Sequence, residues 1–214
     1  MNRTVHAVNK GLDRAVLAPG GKAYTRVLPD PVEDGIANLA DTLDLPGDIA
    51  NDVLQGNVAD AGTNFARLSM NIVFGLGGIF DVATEAGIPE NKTDFGETLH
   101  VWGVGEGPYI ELPGFGPSTG RDAVGTVVDL VLNPVSRVAK GRDATAATVA
   151  KILSRLGDRG RYSNTFDSIL YESADSYAQA RLLYLQNRRF ELGQGGDAAA
   201  DDGFIDPYED PYAE

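Results

Sequence analysis

Asn71–Ala83 reads NIVFGLGGIFDVA, and the nine residues from Ile72 to Phe80 carry only apolar side chains and glycine. The run is too short to cross a bilayer, which takes about 20 apolar residues as a helix. Its glycines also make it a poor helix. Two readings are open. One is a core helix broken by glycines for close packing; the other is apolar backbone and small side chains on a surface that lipid touches.

Outward from this run the periodicity is helical nearly everywhere. Upstream, a helix from about Asp60 to Phe74 places Phe65, Leu68, Ile72, Val73 and Leu76 on one side. Val5, Val8, Leu12 and Val16 mark one face of a first helix that should stop at Pro19-Gly20-Gly21. Asp30-Pro31-Val32-Glu33 reads as a second start: Asp30 as cap, Pro31 at the first helical position and Glu33 completing a capping box. Ile36, Leu39 and Leu43 form its apolar stripe, and Leu45-Pro46-Gly47-Asp48 restarts a short helix that Gly56 ends.

Downstream of a polar stretch, Pro89–Asp94, six glycines fall between Gly103 and Gly120. Ser118 is placed to cap a helix bearing Val124, Val127, Val128, Val131 and Leu132, which Pro134 stops. Val149, Ile152, Leu153 and Leu156 fit another helix closed by Gly157, and a last one runs from near Ser163 to about Leu192. Strand-like alternation is confined to short pieces such as Tyr109–Leu112. The expected fold is all-α: one helical domain over residues 1–192, then a tail, 193–214.

The 214 residues carry a net charge of −13, unevenly spread. From Asp197 onward there are seven acidic residues and no basic one, and the tail holds two copies of Asp-Pro-Tyr, at 206–208 and 210–212. Such a segment buries too little to offset its ordering entropy and is expected to be disordered. An acidic chain without a basic stripe argues against nucleic acid as a partner. The chain has no cysteine, which rules out disulfides and thiolate sites. No basic-then-apolar leader opens it.

Catalytic and cofactor readings fail on context. The ladder Gly103, Gly105, Gly107 runs into Pro108-Tyr109 rather than a Lys-Ser/Thr pair, and no βαβ unit surrounds it. His6 and His100 are the only histidines. His100, Ser118 and Asp122 can be written as a triad, but Ser118 has no nucleophile-elbow context. No His/Asp/Glu cluster has metal-ligand spacing. No cofactor, no metal and no enzymatic activity are expected.

Longer matches are more specific. Arg67–Asn71, Gly75–Ala83, Asp94–Leu99, Trp102–Tyr109, Leu112-Pro113, Gly116–Ser118 and Arg121-Asp122 together resemble the signature of the MlaA/VacJ lipoproteins. Asn9–Asp13, Asn38-Leu39, Leu45-Pro46 and Leu54–Gly56 agree with it, so the resemblance covers residues 2 to 192. It implies a largely helical ring lying in the inner leaflet of the bacterial outer membrane, on its periplasmic face, around an amphipathic channel. It implies removal of mislocalised phospholipid from the outer leaflet, delivery to a periplasmic lipid carrier protein, and a trimeric outer-membrane porin as neighbour. The family's signal peptide and lipidated cysteine are not in this sequence, and His100 stands where the pattern often has glycine.

On that resemblance, Phe74, Leu76, Ile79, Phe80 and Val104 are expected at lipid-contacting or channel-lining surface, and Trp102 and Tyr109 at headgroup depth. Gly75, Gly77, Gly78, Gly103, Gly105 and Gly107 are expected to shape loops. The alternative is a peripheral adaptor that docks a porin or carrier through its apolar surface without conducting lipid.

Overall fold

The computed structural model describes residues 1–132 and 142–193, so the readings at Pro134 and in the tail lie outside the described residues. Helix α1 (Asn2–Leu12) passes through a π-helical turn (Asp13–Leu17) into α2 (Ala18–Val27) without a break. The expected stop at Pro19-Gly20-Gly21 is therefore corrected. Pro19 follows directly on the widened turn, which makes room for its ring and its missing N–H. Gly21 is kept for a helix crossing: a Cβ there would lie 2.7 Å from the Gly160 nitrogen.

Helix α3 (Asp30–Gln55) is also continuous, through Pro46, and ends at Gly56 in the left-handed conformation, φ 78°. The expected restart at Leu45–Asp48 does not occur, because packing on both sides outweighs the local cost of one proline. Nor does the capping box form. Pro29 occupies the cap position, and Glu33 is buried, 3.6 Å from Arg161. Helix α4 (Val58–Val73) starts where Asn57 accepts from the Asp60 N–H, and α5 (Val82–Glu85) is a single turn capped by Asp81.

Helix α6 (Phe95–Val101) begins at Asp94, whose carboxylate accepts from the Glu97 N–H at 2.8 Å. The glycine-rich block then forms a hairpin, β1 (Tyr109–Leu112) antiparallel to β2 (Gly116–Thr119), with Tyr109 opposite Thr119. Helix α7 (Gly120–Leu132) is capped by Thr119, not by Ser118: Thr119 Oγ1 accepts from the Asp122 N–H at 3.2 Å and donates to its carboxylate at 2.7 Å. Ser118 is still in the strand and donates to the Thr119 carbonyl.

Helix α8 (Arg142–Arg161) runs past Gly157, which the sequence reading took as its end; Gly157 instead lies against the Tyr24 ring. The last expected helix is three pieces: α9 (Ser163–Asp167), a π-helical turn (Ser168–Glu172) and α10 (Ser176–Glu191), the break capped by Asp175.

The packing closes on itself. α2 packs on α8, α8 on α3, α3 on α6, α6 on α7, α7 on β1, and β1 on α1, which is continuous with α2. The described residues are thus a ring of helices, closed by one short hairpin. α4 lies on α3, and α10 lies on β2.

What the ring buries is unusual. Among the described residues the buried apolar side chains are Ala40, Leu45, Ala61, Ala83 and Ala150. Polar and charged groups fill the rest, including Asp13, Asp52, Asn64, Arg67, Asn71, Thr98, Asp122 and Arg159. Three of the apolar stripes found by periodicity face outward: Val8, Leu12 and Val16 on α1 and the π-helical turn after it, Phe65, Ile72 and Val73 on α4, and Val124, Val127 and Val131 on α7 are all exposed, whereas Ile36, Leu39 and Leu43 on α3 are half-buried.

Candidate functional site

Helix α4 sets the pattern. Its inward face is Ala61, Asn64, Arg67 and Asn71, spaced three and four residues apart, so one side of the helix is a polar seam. Asn64 donates to Asp52 at 2.8 Å and to the Asn91 carbonyl at 2.9 Å. Arg67 donates to the Ile88 carbonyl at 2.5 Å and to Asp81 at 2.9 Å. Asn71 donates to Asp81 at 3.0 Å and accepts from the Ala83 N–H at 3.0 Å. Burial raises the Asp81 carboxyl, but hydrogen bonds from Thr84 and Asn71 and the Arg67 charge outweigh it and hold it below its ordinary value. This cross-linked polar block pulls the chain after α4 back onto the helix.

The quoted run makes that return. Gly75 has no room for a side chain: a Cβ would lie 2.1 Å from the Phe80 carbonyl oxygen. The Phe80 N–H donates to the Gly75 carbonyl at 2.9 Å, and Leu76 takes φ 53°, rare for a residue with a Cβ. Gly78 presses on Thr42 of α3. The turn holds Phe74 and Leu76 outward at 69% and 70% exposure, with Ile79 and Phe80 beside them.

Behind the turn lies a cavity of about 340 Å³, walled by α3, α4, the loop before α6, and α7. The ionisable groups in its lining are mainly acidic: Asp41, Asp44, Asp48, Asp81, Glu90 and Asp129, against Arg67 and Lys92. A second cavity of about 340 Å³ lies between the hairpin, α7, α8 and α10, with Arg155 and Arg188 in its wall. Asp129 lines both. Burial, then the neighbouring Asp44, pushes the Asp48 carboxyl up to about 8; burial also raises Asp129. Perturbed carboxyls in a cavity make it a candidate site.

Phe74, Leu76, Ile79, Phe80 and Val104 are exposed, and none of them lines either cavity. Trp102 is half-exposed; its indole N–H donates to the Leu54 carbonyl at 3.0 Å, and its ring meets Phe95 edge-on. Tyr109 is half-buried, donating to Glu111 at 2.5 Å and packed edge-on against Tyr177. Among the named glycines, Gly77, Gly78, Gly103 and Gly107 take positive φ, while Gly105 takes no such angle and meets nothing.

His100 faces Arg121 at 3.4 Å, and Asp122 is held by Thr119, Tyr184 and Arg188, so these residues assemble no triad with Ser118. A triad-like chain occurs elsewhere: His6 lies 2.7 Å from Glu111 and 3.1 Å from Ser176. Lys10 donates to the same Ser176 hydroxyl, and neither cavity reaches it. It links α1, β1 and α10. Sequence reasoning missed the acidic cavity, although Asp41, Asp44 and Asp48 recur at helical spacing on α3.

Comparison with known proteins agrees with this architecture. The family model described as MlaA lipoprotein matches residues 1–191. The intermembrane phospholipid transport system lipoprotein MlaA of Haemophilus influenzae is 34% identical, over 91% of this chain and 78% of its own length. The protein of the same name from Escherichia coli is 30% identical over 100% of this chain and 81% of its own. A solved chain described by the words "Structural basis for maintenance of bacterial outer membrane lipid asymmetry" superimposes with a TM-score of 0.75. It has 30% identity and covers 89% of this chain and 96% of that one. A polar-cored ring with its apolar stripes turned outward, matched along its length in sequence and in fold, belongs to the MlaA lipoprotein family.

Proposed function

We propose that this protein lies in the inner leaflet of the bacterial outer membrane, at its periplasmic face. There it carries phospholipid from the outer leaflet towards a periplasmic lipid carrier, beside a trimeric porin. Head groups travel along the polar interior, while acyl chains stay with the hydrocarbon outside. No covalent bond changes, so no catalytic residue is required.

The observation that supports this reading is the inverted distribution of polarity. Burying one large apolar side chain is worth about 1.5–3 kcal/mol. Left in water, Phe65, Ile72, Val73, Phe74 and Leu76 together would forfeit on the order of 10 kcal/mol. That is comparable to the whole stability of a domain. A hydrocarbon neighbour removes the loss. Among the described residues no helix is long and apolar enough to cross a membrane, which fits residence in one leaflet. The relatives' names speak of intermembrane phospholipid transport, and the solved relative of outer-membrane lipid asymmetry.

Gly47 provides the test. It lines the acidic cavity, and a Cβ there meets nothing within 4 Å. Gly47→Trp should fill the passage with the fold intact and leave phospholipid on the cell surface in a complementation assay. Gly62→Trp, equally open but not lining the cavity, should complement. Full complementation by Gly47→Trp would overturn the conducting role and favour a docking adaptor.

A further inference from the structure

We propose that the corner where α1 meets α10 and β1 is a docking surface for the head groups of anionic membrane phospholipids, with Lys10, Arg14 and Arg181 at the depth of the lipid phosphates. It rests on the reading that the ring lies in one leaflet, and it assigns the edge of α1 that points out of the hydrocarbon.

Helix α1 has three sides. Asn2, His6, Asn9 and Asp13, spaced four, three and four residues apart, face inward. Asn2 and Asn9 donate to the Tyr109 and Leu112 carbonyls, His6 meets Glu111, and Asp13 meets Arg159. Val8 and Leu12 form an exposed apolar flank. Lys10 and Arg14 each stand two residues further on, about 200° round the helix, and Arg3, seven before Lys10, shares their side. An inward edge with an apolar flank on one side and a cationic flank on the other suits a helix lying flat in a leaflet, between hydrocarbon and head groups.

The cations of this corner are unmatched, although the whole chain carries a net charge of −13. Among the described residues Lys10, Arg14 and Arg181 pair with no carboxylate. The acids nearby are otherwise engaged: Asp13 with Arg159, Glu111 with His6, and Asp175 with Arg3 at 2.8 Å, while exposed Glu172 is in no ion pair. Tyrosine rings hold the cations instead. Arg14 lies 4.9 Å and Lys10 5.4 Å from the centre of Tyr171, Arg3 4.6 Å from Tyr177, and Arg181 5.5 Å from Tyr109. Tyr109 and Tyr177 meet edge-on, which joins the α1 cations to Arg181. Tyrosine favours head-group depth, and a ring face steadies a cation while leaving its far side open to a phosphate.

Two arguments select the occupant. Lys10 and Arg14, four residues apart, are like charges that destabilise their helix unless an anion lies between them. From Arg3 to Arg14 the charges extend over about 16 Å of helix, which matches a row of head groups rather than one bound ion. A choline head would add its own fixed cation to this patch, and a glycerol head would not.

The test is flotation of the full chain, diluted out of mild detergent, with vesicles of phosphatidylcholine alone or of phosphatidylcholine with about one third phosphatidylglycerol. At low salt the parent should partition about tenfold more strongly into the anionic vesicles, since each cation near such a surface is worth about fivefold. High salt should remove the excess. Lys10→Gln with Arg14→Gln should bring it below about threefold, and Lys10→Arg with Arg14→Lys should keep it. Arg26→Gln, which removes an exposed, unpaired cation from α2, should also keep it. Unchanged binding of every variant to pure phosphatidylcholine shows that the fold is intact. Equal binding of the parent to both vesicles, or an excess kept by the double glutamine variant and by Arg181→Gln alike, overturns the docking surface and leaves residence in the leaflet standing. A parent that floats with neither vesicle overturns both.

Discussion

Asp48 shows what the cavity costs the fold. An unstructured aspartate titrates near about 3.9, whereas burial and the neighbouring Asp44 push this one up to about 8. Between those values the folded protein holds a proton that the unfolded chain has lost. Stability therefore falls as pH rises through this window, and the part contributed by Asp48 is fully present only below about pH 4. Asp129, Asp52 and Glu97 are raised as well, burial being the largest cause in each, and push the same way. Asp48→Asn has no proton to lose. Its melting midpoint, measured by circular dichroism in mild detergent, should match the parent's near pH 4 and exceed it by several degrees at pH 8. A constant offset between the two at all pH values would mean that Asp48 is not desolvated.

At the scale of elements, glycine positions separate into those that shape the chain and those that only loosen it. Gly75→Ala drives a Cβ into two carbonyl oxygens and should cost about 1–3 kcal/mol. Gly62 lies inside α4 with nothing within 4 Å, so Gly62→Ala should stabilise by about 0.5–1 kcal/mol. Thermal unfolding of the two variants side by side reads both signs. The same elements show what was legible beforehand. Periodicity located α4 to within two residues and the end of α10 to within one, because spacing is a local property. It failed at Pro19, Pro46 and Gly157, where the helix continues because α2, α3 and α8 brace one another, and no local window contains that packing. It also could not say which face of a stripe turns inward. Phe65, Ile72 and Val73 make the same pattern whether they meet a core or a lipid tail. The cavity was hidden for a related reason: its wall is drawn from residues 41–54, 67–81, 90–95 and 128–129, which only the closed ring brings together. The family signature pointed to the exposed turn around Leu76 and to Trp102, on the outside of the site rather than in it.

For the whole molecule, one statement joins the parts: polar groups are cross-linked inside a helical ring and apolar stripes are presented outside it. Hydrogen bonds and ion pairs such as Arg159 with Asp13 and Arg188 with Asp94 and Asp122 tie distant helices together, where a water-soluble domain would use an apolar core. Such pairs hold geometry well but add little net stability against their desolvation, so the ring depends on its surroundings for the hydrophobic contribution. The chain's lack of cysteine makes this directly measurable, since any introduced thiol is unique. Spin labels placed singly at Leu76→Cys, on the exposed turn, and at Gly47→Cys, in the cavity wall, can be compared in bilayer nanodiscs by power saturation with oxygen and with a water-soluble nickel chelate. The label at 76 should be relaxed mainly by oxygen, as in hydrocarbon, and the label at 47 mainly by nickel, as in a water-filled lumen. Equal nickel access at both positions would contradict the inverted ring in a leaflet.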